Sequence, residues 1–195
     1  MKSFVVVVDM QGDFINADGA LPVAGADALL APMTEWLRAL QPDETAGVLF
    51  TADTHEPDIY ARSEEAKQFP PHCMRGTPGW ALLIDPAVID PVIPCYRLEK
   101  GVFDMWAEPG IMIERLDGDA PPVPREDFFA RLKQDGVEHV RVIGVAADFC
   151  VRWAAKGLIE HGFKVTIPPA LTRGIKRQID AVIADEWGRT EVAIA

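Results

Sequence analysis

Phe4-Val5-Val6-Val7-Val8 is a continuous apolar run, mostly β-branched, that ends at the carboxylate of Asp9. A run that is apolar at every position predicts a strand buried on both faces, as in a parallel sheet covered by helices. It is too short for the apolar part of a secretory signal. Four further runs have the same character: Val48–Thr51, Val88–Ile93, Val140–Val145 and Lys164–Ile167.

Longer segments with apolar residues near helical spacing separate these runs. They are Gly25–Leu40, Arg125–Gln134, Phe149–His161 and Ile175–Glu186. Alternation of strands and helices predicts an α/β fold, here three α-β-α layers with a mostly parallel sheet of about five or six strands. We expect residues 1–195 to form a single domain, because domains of roughly 100–200 residues are the norm.

The segment 103–124 departs from this alternation. It contains Pro109-Gly110, Asp117-Gly118 and Pro121-Pro122, which are typical of loops and turns. We therefore expect a surface excursion here. Asp117-Gly118, which follows Ile111–Leu116, is a candidate hairpin turn.

The composition restricts the class of function. The 195 residues carry a formal net charge of -11, and an acidic surface repels phosphate backbones, so we expect no nucleic-acid partner. No basic amphipathic stretch and no run of about 18 apolar residues is present, so we expect no membrane association. Cys73, Cys95 and Cys150 form no C-x-x-C pair, which favours reduced thiols and a cytoplasmic location.

Chemically capable side chains follow four of the apolar runs. Asp9 follows the first, Asp53 and His55 the second, Lys100 the third and Cys150 the fourth. In open parallel sheets, ligands bind beyond the carboxyl ends of the strands. The pattern therefore predicts a functional site at this edge of the sheet.

Cys150 is a candidate nucleophile. It stands at a predicted helix start, where the positive end of the helix dipole favours a thiolate and free N–H groups can hold an oxyanion. Asp9 can accept the thiol proton and return it to a leaving amine, and Lys100 can stabilise the developing negative charge. Each has an ordinary alternative: a buried structural cysteine, a capping aspartate and a solvated lysine.

Asp53, His55 and His72 form a candidate metal site. Asp53 and His55 are two residues apart, so both project to one side of an extended strand, and His72 follows 17 residues later in a proline-stiffened segment. One carboxylate and two imidazoles suit zinc, iron or manganese. Chance clustering is the alternative, and it is favoured for the Asp-x-His pair taken alone.

Three blocks of the sequence resemble the isochorismatase-like cysteine hydrolases. They are Val8–Phe14, Phe69–Thr77 and Gly144–Val151, and they occur in the family's order. The resemblance implies that Cys150 is the nucleophile and that Asp9 and Lys100 complete a catalytic triad. It also implies a cis peptide bond between Val145 and Ala146, with the N–H groups of Ala146 and Cys150 forming the oxyanion hole.

Within this family, the chain is most similar to the metal-containing nicotinamidases. That resemblance implies that Asp53, His55 and His72 hold a divalent ion, zinc in preference to iron or manganese, that binds the pyridine nitrogen of the substrate. A further histidine of the usual pattern is absent. Glu65, seven residues before His72, is the expected fourth ligand or a group contacting metal-bound water, and Glu64 is the alternative. Simple exposure on a charged loop is the other interpretation of Glu65.

The same resemblance implies an aromatic pocket for a flat amide. Phe14 and Phe69 are expected to flank the ring, Phe103 or Trp106 to close the pocket, and Val145 to line it. Ordinary core packing is the alternative for each of these residues, and it is the favoured one for Trp106.

The activity implied is hydrolysis of nicotinamide to nicotinate and ammonia, in pyridine nucleotide salvage. The resemblance also implies a homo-oligomer with a small-molecule amide as its substrate. Two alternatives stay open: a hydrolase of another small amide or N-carbamoyl compound, and a non-catalytic metal- or thiol-based binding protein on the same scaffold.

Overall fold

The computed structural model describes residues 2–187 and 192–193, in which a central sheet is flanked by helices. The strands are β1 (Ser3–Val8), β2 (Thr45–Asp53), β3 (Cys95–Lys100), β4 (Met112–Arg115), β5 (Val123–Pro124), β6 (His139–Val145), β7 (Lys164–Thr166), β8 (Thr172–Arg173) and β9 (Val192–Ala193). The α-helices are α1 (Gly12–Ile15), α2 (Leu30–Arg38), α3 (Pro57–Tyr60), α4 (Arg125–Gln134), α5 (Cys150–Glu160) and α6 (Ile179–Glu186). Short 3-10 helices cover Asp27–Leu29, Glu65–Lys67, Pro86–Val88 and Pro169–Leu171.

The sheet is mostly parallel, and β1 lies near its centre. The strand order is β5-β4-β3-β2-β1-β6-β7-β9, with β8 paired to β6. Only the β3–β4 and β4–β5 pairs are antiparallel among the described strands. The predicted fold class is confirmed, and the additional strands β5, β8 and β9 are two residues long each.

Two apolar cores cover the faces of the sheet. Along β1, Phe4, Val6 and Val8 belong to one core, whereas Val5 and Val7 belong to the other. This follows from the two-residue period of a strand, and it explains why every position of the run is apolar. Among the described helices, none is long and apolar enough to cross a membrane.

The predicted strand Val88–Ile93 is wrong. The chain there leaves a 3-10 helix at Val88 and forms a loop, and the strand is Cys95–Lys100 instead. Pro91 and Pro94 interrupt the apolar run, and proline cannot donate to a central ladder. The true strand contains charged residues because its neighbour β4 is a partly exposed antiparallel strand.

The segment 103–124 adds a hairpin to the sheet edge. Strand β4 pairs with β3 on one side and with β5 on the other. Asp117-Gly118 lies in the connection between β4 and β5, which spans residues 116–122 and is longer than a two-residue turn. The helix expected over Gly25–Leu40 begins as a 3-10 turn and becomes α-helical only at Leu30.

Candidate active site

Asp9, Lys100 and Cys150 meet at the carboxyl ends of the parallel strands. The ammonium Nζ of Lys100 lies 2.8 Å from Asp9 Oδ2 and 3.6 Å from Cys150 Sγ. All three side chains are buried. A carboxylate, an ammonium and a thiol in mutual reach can transfer a proton and stabilise a thiolate.

The local chain fixes the carboxylate of Asp9. Strand β1 ends at Val8, and Asp9 then adopts a positive φ of 48°. The Thr51 hydroxyl on β2 donates to Asp9 Oδ1 at 2.6 Å, and it also accepts from the Asp9 N–H at 3.3 Å. Thr51 therefore holds one carboxylate oxygen and leaves the other for Lys100.

The charges of this group set its protonation. Burial raises the pKa of the Cys150 thiol well above its usual value; the negative charge of Asp9 adds to this effect, and Lys100 opposes it. Burial also raises the pKa of Asp9, against the opposing charge of Lys100. Burial lowers the pKa of the Lys100 ammonium, but the negative charges of Asp53 and Asp9 outweigh this effect, so the pKa of Lys100 is raised. Burial and the charge of Asp9 therefore oppose the thiolate that the helix dipole alone would favour.

The N–H groups of Ala146 and Cys150 lie at the connection between β6 and α5. Cys150 is the first residue of α5, and the Val145–Ala146 peptide bond is cis, as predicted. Within residues 2–187, the N–H groups of Ala146 and Cys150 donate to no backbone carbonyl. In the same range, the N–H groups of Ala147, Phe149 and Val151 do donate to backbone carbonyls, whereas that of Asp148 does not. Free N–H donors at the start of a helix can hold an oxyanion.

Asp53, His55, Glu65 and His72 form a buried group with metal-ligand chemistry. One ligand atom from each lies within 4.8 Å of all the others. Asp53 Oδ2, His55 Nε2, Glu65 Oε1 and His72 Nε2 are buried and lack a hydrogen-bond partner in the described part of the chain. Four such atoms facing one another fit a cation, because buried polar atoms are otherwise paired.

The second nitrogen of His72 is held by the backbone. His72 Nδ1 lies 2.8 Å from the Pro70 carbonyl, which fixes Nδ1 as the N–H and leaves Nε2 as the metal-binding atom. Burial disfavours the imidazolium, but the carboxylates of Asp53 and Glu65 outweigh it and raise the pKa of His72 to about 9. Binding of a metal ion at Nε2 would require the neutral ring, because imidazole binds metals in its neutral form.

The structure distinguishes Glu65 from Glu64. Glu65 is buried and its Oε1 lies 3.1 Å from His72 Nε2. The Glu64 side chain is 85% exposed and pairs with Lys67 at 2.5 Å. Of the two predicted alternatives, the structure places only Glu65 in the group.

Asp53 connects the two halves of the site. Its Oδ1 accepts from Lys100 Nζ at 2.8 Å, while its Oδ2 lies 3.4 Å from His72 Nε2. The Gln11 side chain, which was not among the predicted site residues, hydrogen-bonds both the N–H and the carbonyl of Asp53. The Asp53 N–H donates to Gln11 Oε1 at 2.7 Å, and Gln11 Nε2 donates to the Asp53 carbonyl at 2.8 Å.

We expect Gln11→Ala to weaken metal binding roughly 10- to 100-fold, as for other groups that orient a ligand. The change removes both hydrogen bonds to Asp53 and leaves the four ligand atoms in the chain. Competition with a chromophoric chelator measures the affinity. The control is Gln41→Ala, because Gln41 is exposed and its side-chain amide donates to the Ala39 carbonyl. Equal affinity in both variants would contradict the role of Gln11.

Phenylalanines lie beside the metal-ligand group. Phe69, Phe103 and Phe149 form an aromatic cluster with centroids 5.3–5.6 Å apart. Phe103 stacks on His72 at 6.4 Å, and Phe14 lies 5.4 Å from the same ring. The structure thus brings the predicted Phe14, Phe69 and Phe103 together and adds Phe149, which our sequence reasoning missed although it immediately precedes Cys150.

The two other predicted pocket residues, Trp106 and Val145, pack in different cores of the sheet. Trp106 packs against Phe129 and His161 in a core on the α5 side, with centroids 4.8 and 4.4 Å away, so it does not belong to the aromatic cluster. The chain turns after Phe103, so Phe103 contacts Phe69 and Phe149, whereas Trp106 contacts Phe129 and His161. Val145 is fully buried and packs in the same core as Phe14.

Residues 3–178 match the family described as Isochorismatase domain. The chain is 28% identical over 195 residues to the nicotinamidase/pyrazinamidase of Mycobacterium tuberculosis, covering 97% of this chain and 96% of that protein. It is 22% identical over 206 residues to the nicotinamidase of Saccharomyces cerevisiae, covering 88% of each. The pyrazinamidase of Pyrococcus horikoshii in complex with zinc aligns with a TM-score of 0.75 at 25% identity, covering 100% of this chain and 99% of that one. The chain belongs to the isochorismatase domain family.

Proposed function

We propose that this protein is a cysteine-dependent amidohydrolase that converts nicotinamide to nicotinate and ammonia. The observation that carries the proposal is the sharing of Asp53 between the Lys100 ammonium and a four-residue metal-ligand group. That arrangement supports a mechanism in which Cys150 acts as the nucleophile on an aromatic amide whose ring binds beside the metal-ligand group. The names of the Mycobacterium tuberculosis and Saccharomyces cerevisiae relatives support the same substrate class.

Cys150 and Asp9 perform the bond changes in this proposal. Asp9 takes the thiol proton, and the Cys150 sulfur attacks the amide carbon. The N–H groups of Ala146 and Cys150 hold the oxyanion of the tetrahedral intermediate. Asp9 then returns the proton to the nitrogen, the C–N bond breaks, and ammonia leaves a thioester on Cys150.

Water completes the reaction. Asp9, again a carboxylate, accepts a proton from water as the water oxygen attacks the thioester carbon. The C–S bond breaks, the Cys150 sulfur recovers the proton, and nicotinate is released. Lys100 stabilises the negative charge that passes between Asp9 and Cys150, because its ammonium lies within 3.6 Å of both groups.

Asp53, His55, Glu65 and His72 would hold a divalent ion, with zinc our preferred identity over iron or manganese. When bound, the ion supplies an anchor and a Lewis acid for the pyridine nitrogen. The aromatic cluster and Phe14 orient the flat ring from the sides. The pyrazinamidase of Pyrococcus horikoshii, whose crystal structure is a complex with zinc, supports this choice of metal.

The cellular setting follows from the same proposal. A cytoplasmic location fits three cysteines that are all unpaired and buried. Assembly into a homo-oligomer and a role in pyridine nucleotide salvage remain predictions from the family resemblance. Gel filtration with light scattering measures the assembly state.

The direct test of substrate class compares nicotinamide with benzamide, which has the same amide but no ring nitrogen. For the metal-loaded protein, we expect kcat/KM for nicotinamide to exceed that for benzamide by at least roughly 100-fold, because a site built around a polar group discriminates strongly against its absence. Ammonia release measures both rates. Equal rates for the two amides would contradict recognition of the ring nitrogen. Absence of turnover with both amides would reject this substrate class.

We expect Asp9→Asn to lower kcat by about 10²- to 10⁴-fold, because the amide cannot accept the thiol proton. The Asn oxygen can still accept the Thr51 hydrogen bond, but the Asn NH2 group replaces the oxygen next to the Lys100 ammonium, so the ion pair is lost together with the base. The matched control is Asp18→Asn, an exposed aspartate of the following loop. Full activity of Asp9→Asn would show that another group relays the proton.

A further inference from the structure

The indole of Trp106 is fixed on helix α5 by several contacts. Its Nε1–H donates to the Ala154 carbonyl at 3.3 Å. The ring stacks on His161 with centroids 4.4 Å apart, and the Arg125 guanidinium lies 5.5 Å above its centroid. Arg125 is itself buried, and it donates to the carbonyl of Met105. Both the ring and the adjoining backbone are therefore anchored.

Gly157 provides the space for this indole. A Cβ at Gly157 would lie 2.1 Å from Nε1 and 2.4 Å from Cε2 of Trp106. Glycine lowers the stability of a helix interior relative to alanine. The glycine in α5 therefore has a packing reason: the ring lies directly against the helix backbone.

The chain between Trp106 and Phe103 is a tight turn. Asp104 Oδ1 accepts from the Trp106 N–H at 2.9 Å, and the Ala107 N–H donates to the Asp104 carbonyl at 3.1 Å. Glu108 closes the loop by accepting from the Gly101 N–H at 2.6 Å. The loop 101–108 is thus tied to the end of β3 through Glu108 and to α5 through Trp106.

We propose that Trp106 is a positioning residue that holds Phe103 in the wall of the substrate pocket. Phe103 contacts Phe69 and Phe149 and stacks on His72, and Phe149 directly precedes Cys150. Helix α5 therefore positions both the nucleophile, at its first residue, and the aromatic wall, through Trp106. The substrate in this inference rests on the proposed function, whereas the placement of Phe103 does not.

The test uses Trp106→Ala, Gly157→Ala and the double variant. The added methyl group of Gly157→Ala expels the indole, so both single variants are expected to raise KM for nicotinamide roughly 5- to 10-fold, the range of an aromatic contact. We expect kcat to change little. In the double variant, the methyl group at position 157 occupies space that the indole has vacated. The KM of the double variant should therefore equal that of Trp106→Ala, and the two single effects should not multiply.

Alkylation of Cys150 by iodoacetamide gives a second readout that needs no substrate. We expect several-fold faster labelling of Cys150 in both single variants, measured by peptide mass spectrometry. Buried Cys95 serves as an internal reference for global opening and should label as in the unaltered protein. Trp106→Phe keeps a ring on Gly157 and should restore most of the unaltered KM and labelling rate.

Phe163→Leu is the stability control, because Phe163 belongs to the same buried core and lies in the connection between α5 and β7, outside the loop 101–108 in sequence. Trp106 would be ordinary core packing if Trp106→Ala and Gly157→Ala lowered the unfolding temperature as Phe163→Leu does, with KM and Cys150 labelling unchanged. If nicotinamide proves not to be the substrate, the labelling rates alone decide the inference. Gly157→Ala keeps every core side chain, so it carries the test if Trp106→Ala does not fold.

Discussion

Replacing Cys150 by alanine is expected to reduce nicotinamide turnover by at least about 10⁴-fold, because the nucleophile that forms the thioester is gone. Alanine is smaller than cysteine and apolar, so the fold should persist. The Asp9–Lys100 ion pair at 2.8 Å also remains in the variant. Ammonia release under identical metal loading measures the loss.

The chain supplies a matched control for this change. Cys95 is also a buried, unpaired cysteine, but it lies at the start of β3, whereas Lys100 stands at its end. Cys95→Ala is expected to retain turnover. Activity that survives in Cys150→Ala, or that disappears equally in both variants, would remove Cys150 from its role as nucleophile.

Loss of the metal is expected in His72→Ala, with affinity lowered at least roughly 100-fold and nicotinamide turnover lost with it. His72 Nε2 lies 3.1 Å from Glu65 Oε1 and 3.4 Å from Asp53 Oδ2, so its removal leaves two buried carboxylates facing each other. Elemental analysis of the purified protein measures the metal directly. His139→Ala is the control, since His139 bonds Thr166 instead.

Glu65 and Glu64 provide a second matched pair. Glu65→Gln should weaken metal binding, whereas Glu64→Gln should not, because the Glu64 side chain is in solvent. Unchanged metal content in His72→Ala would contradict the assignment of the four-residue group as a metal site. Equal effects of the two glutamate variants would contradict the assignment of Glu65 as a metal ligand and leave the other three assignments unaffected.

Strand ends account for most of the site that could be predicted from sequence. Asp9, Asp53 and Cys150 follow or end buried apolar runs, and the parallel sheet brings those ends together. The predicted set Asp53, His55, Glu65 and His72 also converges. Glu65 begins a short 3-10 helix and His72 lies in a loop, and hydrophobic periodicity does not determine the path of either segment. For those two residues, spacing within a family pattern carried the prediction.

Other features depend on tertiary contacts that local patterns do not contain. Gln11 lies within a quoted motif, but its bonds to Asp53 join residues 42 positions apart. The raised pKa of Cys150 arises from burial and from Asp9, which outweigh the helix end that sequence reasoning considered. The strand Cys95–Lys100 was missed because its charged residues face a partly exposed neighbour rather than a second buried layer.

Hydrolysis of nicotinamide through a Cys150 thioester is tested by trapping the acyl group with hydroxylamine. The protein is loaded with zinc, iron or manganese and mixed with nicotinamide, with and without hydroxylamine, and ammonia and the acyl products are measured. A Cys150 thioester predicts that ammonia and nicotinate both form. It also predicts that hydroxylamine diverts the acyl group to nicotinohydroxamate while the amount of ammonia is maintained. Absence of ammonia with all three metals would contradict nicotinamide hydrolysis. Ammonia release without any hydroxamate would contradict a thioester that is open to attack by external nucleophiles.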